Sequence, residues 1–220
     1  MGIFFLALVC FGHVHLLRGV RIPGLPLEDY LVRLMDNDKL ICSGIIVNRQ
    51  QVLTAGVCKP DRNIKSIQVV LSDNSTNTIT NSKVSKNYTA KDASDLLLLL
   101  QLGTPLGQRF SQTPPICRDR PPATEELEYW SWNGNGTSLR KRITPQTTNL
   151  DCRRRINDPD GVVIGNHTVC LKNEDLSERC VKNFGIPFVW HNTFCGINIL
   201  GHNCQVNEKN DIFVRLLKTD

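Results

Sequence analysis

Apolar positions along this chain come in short runs, without sustained helical spacing. The runs Tyr30 to Leu34, Gly44 to Val47, Ser66 to Leu71, Leu96 to Leu102, Pro187 to Trp190 and Ile212 to Leu216 each sit between turn residues, a pattern that predicts mostly β-structure. One short helix is expected, Asn149 to Asn157, because the turn sequence Asn157-Asp158-Pro159-Asp160-Gly161 stops it. So many short strands must bury their edges, which favours a closed or sandwiched antiparallel architecture. No internal repeat or low-complexity linker interrupts the pattern. The run Ile3 to Phe11 differs in kind: it has signal-peptide length and leads into Cys10-Phe11-Gly12, with small residues where a signal peptidase inspects them. Cleavage is expected after Gly12, although no Lys or Arg precedes the run. Neither Ile3 to Gly12 nor Leu96 to Leu100 approaches the roughly 20 residues of a membrane-spanning helix.

Composition narrows the function classes. The 220 residues are 40% apolar, enough for one sizeable core or two small ones. Lys+Arg 26 against Asp+Glu 21 leaves a net charge of +5, too dilute for a dedicated nucleic-acid protein. Nine cysteines become an even set once Cys10 leaves with the signal. None forms a Cys-x-x-Cys pair, so zinc-ribbon and thioredoxin-like chemistry lose their spacing, and disulfides in an oxidising compartment are the default. The sequons at Asn74, Asn87, Asn135 and Asn166 lie in polar, turn-rich sequence and point to a secreted glycoprotein.

No cofactor and no metal are expected. His13-Val14-His15 would wrap Cu(II) or Ni(II) only if the chain were cut after Gly12, and that reading is set aside. Arg140-Lys141-Arg142, in an expected surface loop, and Arg153-Arg154-Arg155, on the expected helix, are read as solvated surface in preference to a polyanion site. Glu125, Glu126 and Glu128 are read as a charged loop, and His191 and His202 as ordinary surface or cleft residues.

The segments Cys42-Ser43-Gly44-Ile45-Ile46-Val47 and Val52-Leu53-Thr54-Ala55-Gly56-Val57-Cys58 closely resemble the first-barrel signature of chymotrypsin-like serine proteases. Other pieces follow in the family's order. Ser94-Asp95-Leu96-Leu97-Leu98-Leu99 is similar to its Asn-Asp-Ile-Ala-Leu-Leu strand, Pro115-Ile116-Cys117 to its Pro-Ile-Cys, and Trp132 to the Trp of its Gly-Trp-Gly turn. Thr168-Val169-Cys170 precedes Cys180-Val181-Lys182-Asn183-Phe184-Gly185-Ile186-Pro187, similar to Cys-x-Gly-Asp-Ser-Gly-Gly-Pro, and Gly196 to Cys204 matches Gly-Ile-Val-Ser-Trp-Gly-x-x-Cys. The resemblance covers roughly residues 22 to 216. It implies an all-β fold of two packed six-stranded antiparallel barrels with the site between them, here without the family's carboxy-terminal helix. The expected organisation is then signal peptide 1–12, a short pro-like segment 13–21 and one domain over 22–220. The resemblance also implies the disulfides Cys42 to Cys58, Cys152 to Cys170 and Cys180 to Cys204. Cys117 and Cys195 are left to pair with each other or with another chain.

The family's chemistry needs a hydroxyl nucleophile, an imidazole to take its proton and a carboxylate to orient the imidazole. By resemblance the three positions are Val57 for the histidine, Asp95 for the aspartate and Phe184 for the serine. A Val side chain has no lone pair and a phenyl ring is no nucleophile, so Asp95 is expected to survive only as a hydrogen-bonded structural carboxylate. Asn183 replaces the carboxylate that pairs with a freed amino terminus, so cutting at Arg21-Ile22-Pro23-Gly24 is not expected to trigger ordering. Lys182 in place of glycine puts the oxyanion hole in doubt. Glu178 falls at the pocket base, Ile199 and Leu200 replace its wall beside Gly201, and Asp211 stands where the opposite wall carries glycine, so a blocked pocket is expected. The chain's end is expected to expose an apolar patch.

The expected function is that of a secreted, non-catalytic homologue acting by protein binding, as cofactor, decoy or regulator. Its partner would be a protease, a protease substrate or a receptor, with no nucleic acid involved. In the family, such homologues are known chiefly from insects, in defence cascades and reproductive-tract secretions. The six-cysteine clip domain of the defence cofactors is not found here, which turns the expectation toward a reproductive or other extracellular setting. Two alternatives compete: a hydrolase with a relocated nucleophile, and a glycan-binding module working through Arg140, Lys141 and Arg142.

Overall fold

A computed structural model describes residues 24–59, 64–133, 136–173, 184–201 and 210–217. Twelve strands form two closed antiparallel barrels. The first uses β1 (Leu31–Asp36), β2 (Lys39–Asn48), β3 (Gln51–Ala55), β4 (Ile67–Val70), β5 (Thr76–Val84) and β6 (Leu97–Leu102), joined in the order β1-β2-β3-β6-β5-β4. β1 also pairs with β4, Leu34 opposite Val69, which closes the ring. The second uses β7 (Glu126–Trp132), β8 (Leu139–Thr147), β9 (Thr168–Lys172), β10 (Pro187–Trp190), β11 (Thr193–Leu200) and β12 (Asn210–Arg215), in the order β10-β11-β12-β9-β8-β7. Closure there comes from Phe188 opposite Tyr129. Each ring abolishes the exposed edges that short strands would otherwise present.

The first barrel is filled by branched aliphatics such as Val32, Leu34, Ile45, Val52, Leu53 and Val69, all essentially inaccessible. The second is filled by rings: Phe213 meets Tyr129 at 5.9 Å and Phe188 at 5.3 Å, and Trp130 meets Phe194 at 5.8 Å, all edge-on. The expected helix is α1 (Asn149–Ile156); Thr148 Oγ1 caps it by accepting from the Asp151 amide, and Asn157 ends it in the left-handed conformation. No described helix is long and apolar enough to cross a membrane.

The structure corrects the placement of two charged clusters and gives the mate of Cys117. Arg140-Lys141-Arg142 lies on strand β8 rather than in a loop, and Glu126 and Glu128 lie on strand β7. The reason is cross-strand pairing: Tyr129 sits opposite Arg142 and Trp130 opposite Lys141, so each cation covers a ring, at 4.5 Å in both cases. The expected apolar patch at the chain's end is not seen at Leu216, which is fully buried; 218–220 lie outside the described residues. Cys117, left open between two partners, is bonded to Cys195 of the same chain, so neither is free to cross-link a second chain.

Candidate functional site

Strand β3 ends in a 3-10 turn, Gly56–Cys58, that carries Val57. Cys58 is bonded to Cys42 on β2, which fixes the turn against the barrel. Behind it lies a second 3-10 turn, Lys91–Leu96, which leads into β6 and carries Asp95. The two approach so closely that a Cβ at residue 56 would sit 2.6 Å from the Asp95 carbonyl oxygen, which explains the glycine there. Val57 is 60% exposed. Asp95 is also exposed, and its carboxylate makes no hydrogen bond or ion pair. The expectation of a hydrogen-bonded Asp95 is thus corrected: with a hydrocarbon at 57, nothing draws the carboxylate inward, and water solvates it.

Phe184 comes from the second barrel, in the turn preceding β10, and is half-buried with its ring against the core. Its carbonyl accepts from the Ser43 amide at 2.8 Å, and the next amide, Gly185 N, donates to the Asn198 carbonyl at 2.9 Å. Gly185 has φ +80, and a Cβ there would run into the Ser43 carbonyl, so glycine is required for the barrels to meet. The Phe184 backbone is thus held between the barrels, and its side chain is a benzyl group.

The hydroxyls nearest this seam are already engaged. Ser43 Oγ accepts from the Trp132 indole N–H at 2.7 Å, and Thr54 Oγ1, fully buried, donates to the Ser43 carbonyl at 2.5 Å. Two imidazoles lie among the described residues. His167 Nδ1 is 3.9 Å from Asp92 Oδ2, and His191 stacks on Trp190 in the β10–β11 turn; neither is hydrogen-bonded to Ser43 or Thr54. Neither Ser43 nor Thr54 therefore has a described imidazole beside it to remove its proton. Val57, after β3, and Leu200, at the end of β11, are exposed apolar side chains, Leu200 at 41%.

Asp211 is buried on β12. The Tyr129 hydroxyl donates to its Oδ2, as does the Asn173 amide at 3.3 Å, and the Arg142 guanidinium donates to Asn173 Oδ1. Asp211 Oδ1 fills the space beside Gly201, 2.5 Å from where a Cβ would stand. This carboxylate is held by internal donors and occupies wall volume. Sequence reading missed the donors because Tyr129, Asn173 and Arg142 are distant along the chain and no spacing motif joins them. Ser43 as the seam's acceptor was missed for the same reason.

Glu178, Lys182, Asn183, His202, Cys180 with Cys204, the sequon at Asn135, the Arg21-Ile22 junction, the residues 13–15 and the signal segment lie outside the described residues. The other three sequon asparagines, Asn74, Asn87 and Asn166, are all exposed. The bonds Cys42–Cys58 and Cys152–Cys170 are formed. Among the described residues there is no group of three or more His, Cys, Asp or Glu that would hold a metal. Lys141 is engaged by Glu28 and Trp130, and Arg142 by Asn173 and Tyr129, so the basic cluster does not present three free cations.

A family model described as Trypsin matches residues 26–219. Among solved structures, the chain is similar to neuropsin, a serine protease expressed in the limbic system of mouse brain: TM-score 0.65, 19% identity, covering 87% of this chain and 92% of that one. It is likewise similar to kallikrein-related peptidase 10 in complex with Zn2+, with TM-score 0.66 and 20% identity over 86% of this chain and 90% of that one. At these identities the structural likeness is one of fold. No curated protein matches the sequence.

Proposed function

Because the chain belongs to the trypsin family of serine proteases, we propose that it is a secreted, non-catalytic member that works by binding another extracellular protein. One observation carries the reading. Val57, on the turn after β3, and Phe184, on the turn before β10, have hydrocarbon side chains where, by the family resemblance, acyl transfer needs an imidazole and a hydroxyl. Neither can accept a proton or attack a carbonyl at any pH. The remaining member, Asp95, has an exposed carboxylate without a hydrogen bond or ion pair among the described residues, and the hydroxyls of Ser43 and Thr54 serve as structural bonds. Secretion is supported by the three disulfides, which belong to an oxidising compartment, and by the exposed sequons.

A cleft without the chemistry of hydrolysis can hold an extended polypeptide without cutting it. The partner is a protease, a protease substrate or a receptor, and the chain acts on it as cofactor, decoy or regulator in a reproductive or defence setting. The test is recovery of the tagged chain from the secreting tissue with its partner. The partner is expected intact, and Val57→Arg, on an exposed side chain that buries little, should weaken capture by about tenfold, equivalent to about 1.4 kcal/mol. Recovery of partner fragments with new termini, generated by the purified chain, would contradict the reading.

A further inference from the structure

On the second barrel, at the opposite end of β11 from the cleft contact at Asn198, cations gather without counter-charges. The segment between the barrels is fastened there: Phe194 N donates to the Pro115 carbonyl at 2.9 Å, Cys117 N donates to the Phe194 carbonyl at 3.0 Å, and the Cys117–Cys195 bond locks the junction. Arg118 and Arg120 follow directly and are exposed. Arg215 arrives from the other side, because β12 sets it opposite Gly196 and Leu216 N donates to the Cys195 carbonyl at 2.8 Å. Among the described residues none of the three guanidiniums has a carboxylate or hydrogen-bond partner, and Arg215 Nε is buried without an acceptor. Burial, and after it the charge of Arg120, holds Arg215 below the usual arginine range, as expected of two guanidiniums sharing one neighbourhood. A buried donor left this way is costly unless something accepts from it.

Beside this cluster lies an open groove of about 440 Å³ whose lining includes Pro114, Pro115, Arg118, Asp119, Trp190 and His191. Trp190 and His191 stack with centroids 4.2 Å apart and planes inclined by 22°, which makes a flat aromatic edge. Both turn residues, His191 and Asn192, have positive φ, so a tight hairpin turn sets this edge in place. The Trp190 indole N–H is likewise without a partner.

We propose that this surface binds an acidic saccharide, with a pyranose ring against the Trp190–His191 edge and its sulfate or carboxylate groups accepting from Arg118, Arg120 and Arg215. Guanidinium forks match the paired oxygens of such anions, and Asp119 is placed to accept from ring hydroxyls. An acidic peptide would use the arginines but leave the stacked rings without a role, which favours the sugar. This site is separate from the cleft and does not depend on what the cleft does.

The test is calorimetric titration of the full secreted chain with a heparin hexasaccharide, at low and at physiological salt. Binding should weaken with salt. The double variant R118A/R120A, on exposed side chains, should keep the wild-type melting temperature and bind about tenfold less tightly, in line with losing charge-assisted bonds. His191→Ala should cost about threefold, the scale of one exposed stacking contact. Arg140→Ala, on the exposed part of β8, should leave the affinity unchanged. The proposal is overturned if the arginine double variant binds like wild type, or if a desulfated, carboxyl-reduced hexasaccharide binds equally well. Tighter binding of a poly-glutamate peptide of equal charge would overturn it in favour of an acidic protein partner.

Discussion

Single residues decide this molecule at two places. Gly185 brings the barrels together by letting its amide reach Asn198 while the preceding carbonyl meets Ser43. Gly185→Ala forces a Cβ into the Ser43 carbonyl at a positive φ, and should lower unfolding stability by about 3 kcal/mol or more, read as the urea midpoint. Asp158 organises the loop after α1 by accepting from the amides of Ile164, Val162 and Val163. The bond from Ile164 contributes most to holding its pKa below the ordinary aspartate value, against the opposing effect of desolvation. A lowered folded pKa means that the stabilisation is complete above the unfolded value, near pH 4, and is lost as pH falls through the folded one. The wild type should therefore exceed Asp158→Ala in melting temperature at neutral pH, and the gap should narrow as the pH is taken below about 4. An unchanged gap down to strong acid would contradict the account.

At the scale of elements, the Cys117–Cys195 bond clamps the inter-barrel segment to β11 across a sequence separation of 78. In the chain-entropy model such a loop contributes about 4.5 kcal/mol, against about 3 for the short loops at Cys42–Cys58 and Cys152–Cys170. Replacing Cys117 and Cys195 by Ser should cost more stability than opening Cys152–Cys170, and non-reducing electrophoresis of the intact chain should show no disulfide-linked dimer through either cysteine. The strands that alternate or run apolar, such as β6 and β10, were legible from sequence because their burial follows the period of the pleat. β5 was not: in Thr-Asn-Thr-Ile-Thr-Asn-Ser-Lys-Val only Asn77 and Ile79 are buried, too few apolar positions to register a pattern. β7 and β8 were hidden by their charges, which read as solvated until Arg142 and Lys141 are seen lying over Tyr129 and Trp130. The positions Val57, Asp95 and Phe184 were legible through motif spacing. The bonds of Ser43, Trp132, Tyr129 and Asp211 were not, because they join strands far apart along the chain.

For the whole molecule, the trypsin-family scaffold is kept, and the proposal is that the atoms that would perform hydrolysis are replaced. Both barrels close, two of the disulfides implied by the family resemblance form, and the turn carrying Phe184 is tied to β2 at Ser43 and to β11 at Asn198 by backbone hydrogen bonds. A net charge of +5 spread over many groups leaves little long-range steering, so under the proposed reading partner choice would fall to local features such as the exposed Val57 and Leu200 and the arginines around Cys117. The most direct test of the central claim is treatment of the homogeneous chain with a fluorophosphonate probe alongside a peptide-bond turnover assay. The account predicts no labelling and no turnover above that of the heat-denatured chain. Stoichiometric labelling of one serine or threonine, with turnover lost on its replacement by Ala, would contradict it.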